Sequence, residues 1–314
     1  MQGPHRARVW LALGTVYLVW GSTFVATSIV VRDLPPFLAM AVRHLIAGSV
    51  LLAAALPRRE PGDRVGGRQV AAALLFGGLL FLVSHGGLAW AQQTVPAGVA
   101  ALLAGSIPLW MALLDRVLLG RRLRRSSYAG FVLGFLGLVF LFDPFGAGSV
   151  DRLGALAVVV GAVAWAAGSL YSRSAPLPRH PLASAGLGAL CGGVLLLAVS
   201  LAAGEPGEAR LTLDAGLALA YLVVFGSFVG FTAYVWLLRA APTSLVATYA
   251  YVNPVVAVAL GWLLLGEEIT PQMLAAGAAV VASVALIVRA SAEAPEPGRG
   301  LLWRRGVRPL AARG

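Results

Sequence analysis

Long apolar runs separated by short polar clusters organise this chain from one end to the other. Ten such runs are Val9 to Val31, Phe37 to Leu56, Val70 to Ala91, Pro96 to Leu119, Ser127 to Phe142, Leu153 to Tyr171, Leu182 to Ala203, Asp214 to Leu238, Ser244 to Leu265 and Pro271 to Val288. A helix of about 20 apolar residues crosses the hydrocarbon core of a bilayer, so each run predicts one transmembrane helix. The fifth is short for that task. The first follows a basic segment, as a secretory signal does, but it is long and no small-residue cleavage site follows it, which predicts a retained span. The pattern therefore predicts an all-α integral membrane protein with ten transmembrane helices.

The second half of the chain repeats the first. Shifted by 145 residues, Trp20 falls on Trp165, Pro36 on Pro181 and Gly48 on Gly193. Shifted by 146, Trp90 falls on Trp236, Pro96 on Pro242, Pro108 on Pro254 and Gly120 on Gly266. Each copy holds five spans, an odd number, so the second copy enters the membrane from the opposite side. The expected organisation is a cytoplasmic N-terminus over residues 1–8, a first five-helix repeat over 9–143, an inverted second repeat over 152–289 and a basic, disordered cytoplasmic tail over 290–314. Inverted repeats allow two similar bundles to exchange conformations, closing a central site to one side while opening it to the other.

Composition narrows the chemistry. The chain is 59% hydrophobic and 12% charged, far from a soluble domain, and the short loops leave no room for a large one. The formal charge of +11 suggests a topology signal rather than a nucleic-acid partner, because all 24 basic residues are arginines and nineteen of them fall in the segments that alternate with the N-terminus on one side. That distribution predicts cytoplasmic termini and a multi-pass protein of the cytoplasmic membrane. Without lysine there is neither a Walker A lysine nor a Schiff base. Cys191 is the one cysteine, and His5, His44, His85 and His180 form no metal-binding spacing, so no cofactor or metal is expected.

Several motifs resemble a known family. Trp20-Gly21-Ser22-Thr23-Phe24-Val25, followed by Leu34-Pro35-Pro36 and Ala41-Val42-Arg43, is similar to the start of the EamA domain of the drug/metabolite transporter superfamily. Val95 to Leu102 leading to Ile107-Pro108-Leu109, Trp165 to Arg173, and Tyr249 to Val258 look most like its YedA-type inner-membrane exporters. The resemblance covers nearly the whole chain apart from the tail. It implies a carrier, not an enzyme, that exports a small metabolite or drug, with a cavity lined by the first, third, fourth, sixth, eighth and ninth spans. An amino acid, another metabolite or a lipophilic cation is the family-typical substrate, the lipid bilayer is the other partner, and the chain acts alone or as a homodimer. One departure is that the family's Leu-Gly-Glu motif, present as Leu265-Gly266-Glu267, reads Leu119-Gly120-Arg121 in the first copy. Glu267 is accordingly read as a boundary or capping residue.

Candidate site residues follow from polarity or kinks at mid-span. Pro108 and Pro254 lie about halfway along the fourth and ninth spans and each removes a backbone donor, predicting equivalent kinks in the two repeats. Thr248, Tyr249, Tyr251 and Asn253 place polar groups beside Pro254, where facing lipid is expensive. Trp20, Ser22 and Thr23 match Trp165 and Ser169 in depth, and midplane indoles can stack on an aromatic or cationic solute or pack against glycines. Arg43 either pairs with a carboxylate on the substrate or snorkels and locks helices together. His85 either couples transport to protons or hydrogen-bonds a neighbouring helix. A facilitative channel and an integral membrane enzyme stay open as alternatives, although neither a repeated charged filter nor a catalytic cluster stands out.

Overall fold

A computed structural model describes residues 3–58, 65–119, 125–141 and 150–292 of the chain. It contains ten helical spans, four of them interrupted or locally widened. These are α1 (Gly3–Val30), α2 (Pro36–Ala55), α3 (Gly67–Gly77, a π-helical Gly78–Gly86 and Gly87–Ala91), α4 (Ala97–Ala104 and Ile107–Leu119) and α5 (Arg125–Leu141). The second half supplies α6 (Arg152–Tyr171), α7 (Pro181–Ala202), α8 (Leu213–Tyr221, a π-helical Leu222–Val229 and Gly230–Ala240), α9 (Thr243–Val246, Tyr249–Leu260 and a π-helical Gly261–Leu265) and α10 (Pro271–Ala292). Among the described residues there is no strand. Helix α10 continues to Ala292, and the remainder of the expected basic tail, like Arg121 of the first-copy motif, lies outside the described residues.

Turn chemistry sets where the helices begin. Pro36 and Pro181 occupy the first turns of α2 and α7, where the missing N–H is no loss and φ is already helical. Asp151 caps α6 by accepting from the backbone N–H groups of Leu153 at 3.1 Å and Gly154 at 3.2 Å. Thr212 caps α8 through Ala215 N–H at 3.2 Å.

Packing repeats with the sequence. Helix α2 lies against α7, and α5 against α10; α1 packs on α8 and α9, while α6 packs on α3 and α4. Replacing every helix by its counterpart five helices along leaves these pairings unchanged. The α2–α7 contact needs glycine on both sides: a Cβ on Gly48 would sit 2.6 Å from the Leu190 backbone nitrogen, and one on Gly186 would sit 2.8 Å from that of Leu52. Leu136 (54% exposed) and Val132 (63%) on α5 point outward, as lipid-facing residues of a peripheral helix do.

Both α4 and α9 are broken, but not at equivalent points. Helix α4 stops at Ala104 and restarts at Ile107, so Pro108 lies in the first turn of a new segment rather than kinking a continuous helix. Helix α9 breaks at Ala247–Thr248 and then runs unbroken through Pro254. The equivalent kinks expected at the two prolines are replaced by breaks about one turn out of register. Glycine explains the first: a Cβ on Gly105 would meet Pro254 Cγ at 2.9 Å, so the break in α4 nests against the proline of α9.

Candidate functional site

The π-helical widening in α3 and in α8 brings unusual side chains to the centre of the bundle. Each such segment shifts the residues beyond it around the helix, and π segments recur at functional positions. On α3 the widened turn presents His85, whose Nδ1 lies 2.9 Å from Nε2 of His44 on α2. The two imidazoles stack at 5.0 Å, and Trp165 of α6 stacks with His85 at 5.2 Å with 27° between the planes. Phe81 lies against both imidazoles, 4.4 Å from His44 and 5.6 Å from His85 between ring centroids. These rings form one ladder across three helices.

A second aromatic cluster surrounds the other tryptophan. Trp20 of α1 donates its indole N–H to the carbonyl of Gly226 at 3.3 Å, in the widened segment of α8. Its ring lies 5.1 Å from Tyr234 and 5.2 Å from Tyr249, the latter edge-on at 84°. Nearby, Tyr17 and Thr248 share a hydrogen bond between their hydroxyls. Ser22 bonds the Tyr221 hydroxyl at 2.6 Å, tying α1 to α8 a second time.

Two buried polar residues stand near these clusters. Arg43 of α2 is 8% exposed and donates through Nε to Ser227 Oγ on α8 at 3.3 Å. Asn253 of α9 is equally buried, and its Oδ1 accepts no hydrogen bond. It sits beside Gly21, where a Cβ would approach the Asn253 carbonyl oxygen to 3.1 Å. The packed α1–α9 interface is thus closed on the backbone side, while the amide oxygen is left for another partner.

The remaining expected residues are placed differently. Thr23 and Thr248 donate to carbonyls of their own chain segments, Trp20 at 2.6 Å and Leu245 at 2.6 Å, so their protons are not free for a ligand. Tyr251 packs with the apolar cluster around Leu103 and Leu109. Ser169 lies half-buried one turn beyond Trp165, and its carbonyl accepts from Ser172 Oγ at 2.8 Å. Neither Pro108 nor Ser169 enters the two aromatic clusters. Conversely, Ser227, Tyr221 and Tyr234 join these clusters, and Gln92 ties the end of α3 to α1, although nothing singled them out by sequence. Gln92 donates from Nε2 to Phe24 O and Ser28 Oγ, both at 2.9 Å.

At the end of the bundle opposite the described N-terminus, carboxylates from the second half hold helices of the first. Glu205 accepts from the N–H groups of Phe37 at 3.2 Å and Leu38 at 2.7 Å, at the start of α2. Glu267 accepts from Ala97 at 2.5 Å and Gly98 at 3.0 Å, at the start of α4. The left-handed Gly266, φ 69°, turns the chain so that Glu267 can reach. Glu267 is therefore a cap, but of a helix in the other repeat. Asp33 accepts from Thr212 Oγ1 at 2.7 Å, and Thr94 donates to Asp151 at 2.7 Å, pulling the Asp151 carboxyl below its ordinary value of 3.8. A pocket of about 380 Å³ opens on this end, lined in part by Arg32, Asp33, Trp90, Gln93, Glu205 and Glu208.

Known proteins share this organisation. The model of the EamA-like transporter family matches the chain twice, over residues 8–143 and 152–289. An uncharacterized inner membrane transporter of Escherichia coli (strain K12), YedA, is 38% identical over 275 residues, covering 87% of this chain and 88% of that protein. The uncharacterized transporter YoaV of Bacillus subtilis is 25% identical over 265 residues, 84% of this chain and 90% of its own length. One solved structure, titled "Crystal structure of protein", superposes with a TM-score of 0.61 over 89% of this chain and 96% of its own, at 24% identity, and shares the fold. The two family matches, the YedA likeness and the ten apolar helices together make this chain a member of the EamA-like transporter family, an all-helical, multi-pass inner-membrane transporter.

Proposed function

We propose that the chain is a secondary exporter that moves a small metabolite or drug-like molecule across the cytoplasmic membrane by alternating access. The binding region lies between the Trp20 and Trp165 clusters. The observation that carries this reading is the packing pattern that survives exchange of the two repeats, because a bundle with interchangeable halves has two equivalent ways to close. The break in α4 at Gly105 nests against Pro254 of α9, where the chain lacks a backbone donor, so carbonyls there leave the regular ladder and only a cavity or a neighbour can satisfy them.

In this reading the termini are cytoplasmic, as the arginine distribution supports, and the Glu205 and Glu267 caps lie on the outer face. They join the halves there, so opening outward requires their release. The unsatisfied Asn253 oxygen, the Trp20 and Trp165 rings and the Ser22–Tyr221 pair contact the solute, and His85 with His44 couples its movement to protons.

The test is uptake of a mixed amino-acid and drug panel into proteoliposomes, with and without an imposed pH gradient, for the wild type and Asn253→Ala. Saturable flux that the gradient accelerates and the substitution reduces at least tenfold is the expected result. Flux without saturation, unaffected by Asn253→Ala, would instead indicate a facilitative channel, and no flux of any panel member would count against the carrier reading.

A further inference from the structure

Arg43 sits seven residues into α2, about 10 Å along the helix from its first residue, and is 8% exposed. Its head does not snorkel to a surface. It reaches across to the widened segment of α8, where a Cβ on Gly226 would stand 3.1 Å from Nη2 and 3.1 Å from the Thr23 methyl. A guanidinium carries five N–H donors in a fixed fork. One, on Nε, goes to Ser227 Oγ, and Ser227 sends its own proton to the Leu222 carbonyl at 3.2 Å. Among the described residues the other four find no acceptor.

Nor do the described residues provide a counter-charge. The described carboxylates lie elsewhere: Asp33 on Thr212, Asp151 on Thr94, Glu205 and Glu267 on helix starts, and Asp115 on α4, 3.9 Å from Arg173. Glu208, Asp214 and Glu268 are exposed. The groups facing Arg43 are a serine hydroxyl, a glycine backbone and a threonine methyl, all uncharged. The titratable rings on neighbouring turns, His44 and His85, are bonded to one another and supply no negative charge. A buried cation without a counter-charge is unfavourable, and such charges in a membrane protein mark pathways.

We infer that Arg43 is the counter-charge for a carboxylate on the transported solute. The inference rests on the carrier reading above and names the chemical class of its substrate. The fork suits two carboxylate oxygens at once, which a lysine ammonium or a polar neutral residue does not match. The neighbouring aromatic faces of Trp20 and of the His44–His85–Trp165 ladder fit an apolar or planar remainder of the same molecule.

Ligand-induced thermal stabilisation of the detergent-purified full chain tests this with acetate, phenylacetate and indole-3-acetate against the matching amides. Sodium chloride at equal ionic strength controls for a simple anion. The expected result is that at least one acid binds ten times or more tightly than its amide and than chloride. Arg43→Gln abolishes that ratio, Arg43→Lys lowers it, and Ser227→Ala preserves it. Equal binding of acid and amide, an unchanged ratio in Arg43→Gln, or no acid-dependent stabilisation overturns the inference; should Arg43→Gln fail to fold, Arg43→Lys decides by the same ratio. Proteoliposome flux separates the two readings. Acid-selective binding without flux defeats the carrier and spares the carboxylate site, whereas saturable flux indifferent to the carboxylate defeats the site and spares the carrier.

Discussion

Trp20 and Trp165 occupy matching places in the two repeats yet keep different company. Trp20 is enclosed by the phenol rings of Tyr234 and Tyr249 and spends its N–H on the Gly226 carbonyl. Trp165 stacks flat on His85, which is hydrogen-bonded to His44. The indole recurs in both repeats, but one copy joins α1 to phenol rings on α8 and α9 and the other joins α6 to a pair of imidazoles on α2 and α3. The lesson is that symmetry locates matching residues, while the chemistry at each half is set by neighbours that the repeat does not share.

The sharpest way to break the comparison is His85→Leu. It leaves the buried His44 ring nitrogen without its partner, a loss of about 1–3 kcal/mol, which thermal unfolding of the purified protein reports as a clear fall in Tm. In the same variant, acceleration of flux by a pH gradient is expected to disappear while gradient-free flux survives. Glu267→Gln comes next. It exchanges charge-assisted bonds to the start of α4 for weaker neutral ones, with an expected destabilisation of about 1–2 kcal/mol and a shift toward protease access at the loops on that end.

Phenylalanine at the two tryptophans sharpens the contrast further. Trp20→Phe forfeits the bond to Gly226 and is expected to lower stability by about 1 kcal/mol. Trp165→Phe keeps a stacking ring on His85 and should cost about half of that or less, read in the same melting experiment. The smallest effect concerns the exposed cap of α6. Because the folded Asp151 carboxyl titrates below its ordinary value, its contribution is present above that value and is lost as pH falls through the lowered one. Thr94→Ala should therefore flatten the acid limb of the stability profile below about pH 4 and leave neutral pH nearly unchanged.

Much of the fold was legible in the chain because apolar length and arginine spacing are properties of whole segments. All ten expected spans coincide with helical spans within a few residues, and Pro36 and Pro181 mark helix starts as helix chemistry requires. Local backbone choices were less accessible. Nothing in the composition of Gly78–Gly86 distinguishes a π-helix from an α-helix, so the rotation that aims His85 at His44 could not be read off 3.6-residue spacing. Pro108 misled because a proline at the second residue of a new helix and one inside a continuous helix look alike until the preceding Gly105–Ser106 break is seen. Ser227 and Tyr221 escaped notice because isolated hydroxyls are common in apolar spans, and only their partners on α1 and α2 distinguish them.

The out-of-register breaks in α4 and α9 have a further meaning once the two halves are treated as each other's templates. Imposing the second repeat's conformation on the first, through the 146-residue shift, moves the α4 break from Gly105–Ser106 to Ala101–Leu102. The reverse operation moves the α9 break from Ala247–Thr248 to Tyr251–Val252, directly before Asn253. Under the proposed alternating access, one set of atomic positions would serve as the template for a second. In that template the unwound turn of α9 would lie next to the amide whose oxygen has no partner here, and the proposed loading and release would become one hinge exchanged between two helices.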